Sequence, residues 1–345
     1  MHEEKTEQLI IGFTHQAQEI GGPGTFQTRL IVELEKRNWR VVYPEDRIVP
    51  DVVLVVGGSG KIGWLLWCKW KGSQIVHRLD GINWRHRVLK CSIGYKIKSE
   101  ARNWVTFFIR NYLADRIVYQ SSFVKDWWNS KYDSTRAPSI VIHNLVNLNE
   151  FQPAKKDASM RPFILCAESQ VVNDPISRLV VNILSKELFC EGQISGIRIL
   201  GGLGVEEEVE LSSVPGVELI GRVPRNEMPR HYQEADIFLN LDVNAACPNA
   251  VIEALASGLP VVGFDTGALR ELVPDSAGVL VDYGGNPWSL DEPDCKALVG
   301  KIKVVISNLE QMSKKARETA QNRYEVGKVV DRYQKVLSAG KVISH

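Results

Sequence analysis

The sequence has no apolar run of the roughly 18–20 residues that would cross a bilayer. Its opening, MHEEKTEQLIIGF, is acidic ahead of the first apolar run and lacks the pattern of a secretory signal, so a cytoplasmic protein is expected. Cysteine is sparse. The six residues (Cys68, Cys91, Cys166, Cys190, Cys247, Cys295) form no CxxC pair, and buried, reduced thiols are the expectation rather than a disulfide framework. Neither an Asp-x-Asp pair nor a His/carboxylate cluster suggests a metal site. No short-period repeat or low-complexity tract interrupts the chain. Net charge is nearly absent as well, with 42 Lys and Arg against 41 Asp and Glu. These absences exclude a membrane-spanning helix, a small disulfide scaffold and a chain whose overall charge would draw it to nucleic acid.

What is present is ordinary globular material, 345 residues with 44% apolar and 24% charged side chains, enough for two domains with a core each. Short β-branched runs recur at Gln8–Phe13, Arg40–Tyr43, Asp51–Val56, Gln74–His77, Arg116–Tyr119 and Ser139–Ile142. They recur again at Pro162–Cys166, Ile197–Leu200, Val217–Ile220, Asp236–Asn240, Pro260–Gly263 and Gly278–Val281. Continuous apolar strands of this kind predict parallel sheets covered on both faces, with helical stretches as crossovers. Helices are predicted at Thr25–Asn38, Pro175–Leu188, Arg225–Ala235, Asn249–Ser257 and Cys295–Arg323. The fold class is therefore α/β, two doubly wound Rossmann-like domains facing a central cleft. The expected boundaries are 1–150 for the first domain, 151–161 for a polar linker, 162–325 for the second domain, and 326–345 for a C-terminal helix returning to the first. Ligands of such sheets sit at the carboxyl ends of the strands.

Two segments suit an anionic ligand. Gly21-Gly22-Pro23-Gly24-Thr25 follows the first strand and opens a helix, where backbone N–H groups can approach a phosphate closely; a plain tight turn is the alternative. Cys247–Glu271 (CPNAVIEALASGLPVVGFDTGALRE) reads as loop, helix, Gly-Leu-Pro break, buried strand and Gly-bearing turn. Pro248 opens that helix, and Glu253 sits one turn in among Ala250, Val251, Ile252, Ala254, Leu255 and Ala256. A carboxylate in that setting needs partners, which ribose hydroxyls or a structural Arg would supply.

Cys247–Glu271 resembles the signature of retaining family-4 glycosyltransferases (glycosyl transferases group 1), GT-B-fold enzymes that use nucleotide sugars. In the same order, Gly21–Gly24 resembles that family's glycine loop, Ile75–Gly81 (IVHRLDG) its His-containing strand end, and Ala114–Trp127 and Val141–Phe151 two supporting blocks. Val217–Leu239 (VELIGRVPRNEMPRHYQEADIFL) resembles its block before the signature. The resemblance implies that Glu253 holds the ribose hydroxyls, with Gly221, Arg222 and Val223 at the nucleotide. It implies that backbone at Asn249, Ala250 and Val251 meets the diphosphate, with Gly22 and Gly24 on the other side. His77 would be catalytic, facing the donor sugar, and Asp242, Asn244, Cys247 and Pro248 would line the sugar. It implies no metal and no cofactor beyond the nucleotide sugar itself, and an acceptor that is a glycan or lipid-linked hydroxyl.

The chain departs from the family in three places. Ala245 stands where a second carboxylate is usual, Ala167–Ser177 holds none of the usual cations so that Arg178 is the nearest substitute, and Asn144-Leu145 replaces an Asn-Gly. These departures motivate an alternative, a catalytically degenerate GT-B protein binding nucleotide or glycan as a partner subunit; a sugar-nucleotide epimerase of related fold is a more remote one. Finally, residues 61–110 carry eleven Lys and Arg against two acidic residues, with five tryptophans interleaved. A solvated basic face is the plain reading. The sharper expectation is a surface for anionic membrane lipid or for a charged acceptor, with nucleic acid disfavoured because no recognised binding module accompanies the charge.

Overall fold

The computed structural model describes residues 8–17, 22–156, 160–170 and 175–339. The chain divides into two compact units, one running to His143 and completed by the segment from Val326, the other spanning Asn144–Glu325.

In the first unit, six parallel strands, β1 (Ile10–Phe13), β2 (Arg40–Val42), β3 (Val52–Val56), β4 (Gln74–Leu79), β5 (Arg116–Tyr119) and β6 (Ser139–Val141), lie in the order β2-β1-β3-β4-β5-β6. Helices α1 (Gly22–Lys36), α2 (Ile62–Trp70), α3 (Ile93–Phe108) and α4 (Ser122–Tyr132) make the crossovers, and α3 runs on into a π-helical turn, Ile109–Leu113. Every residue of β3 (VVLVV) is buried, as a central strand covered on both faces requires.

The second unit repeats the plan with β7 (Phe163–Gln170), β8 (Gly196–Gly202), β9 (Val217–Gly221), β10 (Ile237–Asn240), β11 (Val261–Phe264) and β12 (Gly278–Val281), all parallel in the order β12-β11-β10-β7-β8-β9. Its helices are α5 (Pro175–Leu184), α6 (Val205–Ser212), α7 (Met228–Glu234), α8 (Asn249–Ala256), α9 (Leu269–Leu272), α10 (Cys295–Ser307) and α11 (Leu309–Arg323); α12 (Val326–Ser338) belongs to the first unit. There Phe26 of α1 meets Tyr333 of α12 with ring centroids 5.2 Å apart, and Arg37 binds Asp331 at 2.6 Å. Strand order reverses between β7 and β10, so the loop leaving β10 occupies the topological switch point, where doubly wound sheets bind ligands.

Three expectations are corrected. The boundary falls at 143/144 rather than after 150, because residues 144–151 are tied to the second unit: Val146 N–H donates to the Tyr324 carbonyl, and Phe151 packs edge-on to Tyr232. The single helix expected over Cys295–Arg323 is two, broken at Asn308, whose side chain bonds back to the Val304 carbonyl at 2.9 Å. Burial does not extend to all six cysteines, since Cys190 is exposed and Cys91 partly so.

Candidate functional site

The loop 241–248 and the start of α8 form the best-built polar corner of the second unit. Helix α8 (NAVIEALA) ends in a Schellman motif: Gly258 N–H donates to Leu255, Leu259 N–H to Ala254, and Gly258 adopts φ +74° where a side chain would be strained. Its last carbonyls are served by Arg317, whose Nη1 donates to Ala256 and, at 2.6 Å, to Phe151. The other end differs. Pro248 is the N-cap residue and no side chain caps the helix there. The N-terminal N–H groups of Asn249, Ala250 and Val251, together with the helix dipole, make this end suited to an anion.

Asn144, buried to 3% exposure, fixes the approach to that helix. Both protons of its side-chain amide are used, one on the Cys247 carbonyl and one on the Asn249 Oδ1, each at 2.8 Å, while its backbone N–H points at Cys247 Sγ at 3.4 Å. Cys247 and Pro248 are thus held in place by Asn144, and the Cys247 thiol is buried against its backbone. Ahead of them, Asn244 sits at φ +56°, its N–H donating to Thr266 Oγ1 at 3.2 Å, and Ala245 takes a hydrogen bond from Ala268 N–H at 2.9 Å. Asn244 Nδ2 is buried without a hydrogen-bond partner among the described residues. Asp242 lies two residues before Asn244 in this loop, and its carbonyl accepts from Asn240 Nδ2 at 3.2 Å.

Glu253 is 8% exposed in α8. Its Oε2 accepts from the Tyr232 hydroxyl at 3.3 Å, and the same hydroxyl reaches the Ala250 carbonyl, so α7 braces the first turn of α8. A phenol stands where the sequence had suggested a choice between ribose and Arg.

Gly221 ends β9 at φ +77°. Arg222, the next residue, is exposed and lies across the end of β8: a Cβ on Gly202 would come within 2.9 Å of its Nε. Arg222 and Val223 also line a cavity of about 380 Å³ with Arg198, Glu218 and Glu227. Arg178 is engaged elsewhere, its Nη1 bonded to Glu210 Oε2 at 2.7 Å between α5 and α6. Of the stretch 167–177, residues 171–174 lie outside the described residues.

The first unit revises the remaining assignments. Gly22 and Gly24 are not a loop but the first turn of α1; Gly21 lies outside the described residues. His77 is fully buried in β4, its Nε2 2.7 Å from the Gly57 carbonyl. A carbonyl only accepts, so Nε2 carries the proton. Burial, with the Arg110 charge as a lesser cause, pushes this imidazole down to about 4 and keeps it neutral. In this structure His77 is a neutral, fully buried histidine bonded to the backbone.

Asp80, missed in the sequence, ends the same strand in a more accessible place. Its Oδ1 accepts from Arg78 Nη1 at 2.8 Å and from the Gln120 amide, and a Cβ on Gly57 would come within 2.8 Å of Oδ2. Burial raises its carboxyl pKa against the pull of the Arg78 guanidinium. The signal was available, since IVHRLDG places a carboxylate just past the strand end. Among the described residues no group of three or more His, Cys, Asp or Glu could hold a metal ion, and no helix is long and apolar enough to cross a membrane.

Two parallel doubly wound sheets of this kind make up the GT-B fold. Residues 192–308 match the family described as Glycosyl transferases group 1. Among curated proteins, the D-inositol 3-phosphate glycosyltransferase of Thermobispora bispora is 26% identical over 265 residues, covering 68% of this chain and 61% of that protein. The amylovoran biosynthesis glycosyltransferase AmsK of Erwinia amylovora is 35% identical over 88 residues, 24% of this chain and 20% of that protein. The chain thus spans less than two thirds of these relatives' own length. Among solved structures, HepE of Anabaena, in complex with UDP and glucose, superposes with a TM-score of 0.72 at 16% identity, covering 96% of this chain and all of that one. A sucrose-phosphate synthase of Thermosynechococcus elongatus does so with the same score, identity and coverage.

Proposed function

We propose that the protein is a retaining, metal-independent hexosyltransferase that moves a sugar from a nucleoside-diphosphate donor to a hydroxyl of a glycan or lipid-linked acceptor. The observation that carries this reading is the start of α8, a helix N-terminus without a side-chain cap, with a buried carboxylate one turn in. The N–H groups of Asn249, Ala250 and Val251 would receive the donor diphosphate, and Glu253 would accept the ribose hydroxyls. Fixed dipoles of this kind stabilise charge as it develops on the leaving diphosphate, without reorganisation at the moment of reaction.

Arg222 is the cation we assign to the diphosphate in place of Arg178, because Glu210 occupies Arg178 while Arg222 spans the glycine at the end of β8. Asp242 and Asn244 would contact the sugar, the unpartnered Nδ2 of Asn244 donating to a hydroxyl; Cys247 and Pro248 would shape that pocket. Gly221 and Val223 would border the base, and Gly22 and Gly24, in the first turn of α1, are the first unit's candidates for a phosphate contact. Front-face attack, with the leaving phosphate accepting the acceptor proton, needs no protein nucleophile, and none is assigned. No cofactor is required beyond the donor. Residues 61–110 would make a peripheral contact with anionic membrane in the cytoplasm.

The solved relative HepE holds UDP and glucose, so uridine donors come first in the test. A thermal-shift screen of nucleotide sugars is expected to find one base that stabilises the protein; a ligand at 100 times its dissociation constant adds about 2.7 kcal/mol. Incubation with that donor and acceptor mixtures should then transfer or slowly hydrolyse the sugar. Binding without turnover would favour the second reading, a degenerate partner subunit, which rests on Ala245 and on the engagement of Arg178. Neither binding nor turnover would overturn both.

A further inference from the structure

Helix α3 is built inside out for a water-soluble surface. Its buried residues are polar, Ser99 and Asn103, whereas Ile93, Ile97 and Trp104 are 76%, 66% and 64% exposed. Asn103 holds the underlying loop, accepting from Asn83 N–H and donating to the Asn83 carbonyl, both at 2.9 Å. Glu100 grips Arg87 through two bonds of 2.7 and 2.9 Å and takes His86 Nε2 at 2.8 Å. The helix is therefore fastened by hydrogen bonds and ion pairs along one side.

An apolar stripe runs at helical spacing through Ile93, Ile97, Ala101 and Trp104 to the partly buried Phe108, with Glu100 on its edge. Trp104 stacks on Phe108 with centroids 5.8 Å apart, and Phe108 meets Tyr112 at 5.4 Å, carrying the stripe into the π-helical turn; Tyr112 is 66% exposed. Helix α2, which packs on that turn, adds Trp70 at 77% exposure. A soluble surface scatters such residues singly, so a contiguous run marks a contact site.

Charge selects what makes the contact. With about 100° between successive helical residues, Lys96 and Lys98 project roughly 100° to either side of the stripe. Both are exposed, as are Lys90 and Arg102; of the other basic residues in 61–110, Arg78 and Arg110 are buried, and Lys61, Lys69 and Arg87 pair with Glu45, Asp115 and Glu100. Apolar and aromatic residues along one line, flanked by cations, form the pattern of a helix lying in a bilayer interface. A protein partner for this face would have to be apolar and acidic at once; a bilayer of anionic lipid is both everywhere.

We infer that α3, with Tyr112 and Trp70 beside it, lies in the plane of an anionic bilayer, its stripe in the acyl boundary and its lysines among the headgroups. This rests on the peripheral contact proposed for residues 61–110 and names its element, and it does not depend on sugar transfer. The full-length protein is mixed with vesicles of 30% phosphatidylglycerol in phosphatidylcholine, and with pure phosphatidylcholine, at low and high salt. The expected result is sedimentation with the anionic vesicles, weakened by salt, with a blue shift of tryptophan emission. Ile97→Asp with Trp104→Glu should lower the bound fraction at least about tenfold, whereas Val209→Asp on α6, an exposed control, should not. Circular dichroism and nucleotide binding of the α3 variant should match wild type, which separates loss of lipid contact from loss of fold or donor site. No sedimentation with anionic vesicles at low salt, or equal binding by the α3 variant, would overturn the inference. Dimerisation that the same substitutions abolish, without vesicle binding, would assign the stripe to a second copy instead and would also overturn it.

Discussion

Glu253 and His77 are both buried. Glu253 accepts a hydrogen bond from the Tyr232 phenol. His77 sits in a strand where only its neutral form is tolerated. The histidine makes a stability prediction with a definite sign. Its pKa is depressed from 6.5 to about 4, so between these values the unfolded chain binds a proton that the folded chain refuses. Stability is full above pH 6.5 and falls as pH drops toward 4, by up to about 3 kcal/mol from this group. Urea unfolding of wild type and His77→Gln from pH 7.5 to 4.5 checks this; the variant should lose that part of the slope. Arg222 makes a binding prediction. Arg222→Ala should weaken a nucleoside diphosphate about tenfold while leaving the nucleoside unaffected, since a charge-assisted contact is worth about 1.5–3 kcal/mol. Competition binding with both ligands distinguishes a phosphate contact from a base contact.

At the scale of elements, the loop between β10 and α8 is clamped rather than packed. Asn144 holds its end through two amide bonds, and the turn 265–268 holds its middle. Gly267, at φ +61°, leaves no room: a Cβ there would lie 2.5 Å from both the backbone nitrogen and the carbonyl oxygen of Ala245. Gly267→Ala should therefore cost more than the approximately 1 kcal/mol typical of a point substitution and displace the donor loop, read as a lowered melting temperature together with lost nucleotide affinity. Asn144→Ala should leave the Cys247 carbonyl without that bond, at about 1–3 kcal/mol. Strand positions were legible because buried parallel strands are continuous β-branched runs, as in VVLVV. The Schellman end of α8 was legible for the same kind of reason, since Ser-Gly-Leu-Pro marks a helix stop. The clamps were not. The bond from Asn144 to Cys247 spans 103 residues, and no local pattern announces it. The burial of His77 was not legible either, because a strand end and a strand interior share one sequence, IVHRLDG, and only burial separates the histidine from Asp80.

Taken whole, the molecule has two parallel six-stranded sheets that differ in strand order and in equipment. The second unit carries the switch-point loop, the uncapped helix and Arg222; the first carries the Asp80 cluster and the exposed stripe of α3. The central claim is that the second unit binds a nucleoside diphosphate with Glu253 on its ribose. Calorimetric titration of UDP, or of whichever nucleoside diphosphate the screen selects, into wild type and Glu253→Gln, beside a melting curve of each, tests it most directly. A glutamine keeps an acceptor for the Tyr232 hydroxyl, so the melting curves should nearly coincide. The variant's affinity should fall at least about tenfold, the equivalent of 1.4 kcal/mol, and a 2′-deoxy nucleotide should lose the advantage of the carboxylate. Unchanged affinity, with or without a lowered melting temperature, would contradict the ribose assignment and leave Glu253 as a brace between α7 and α8.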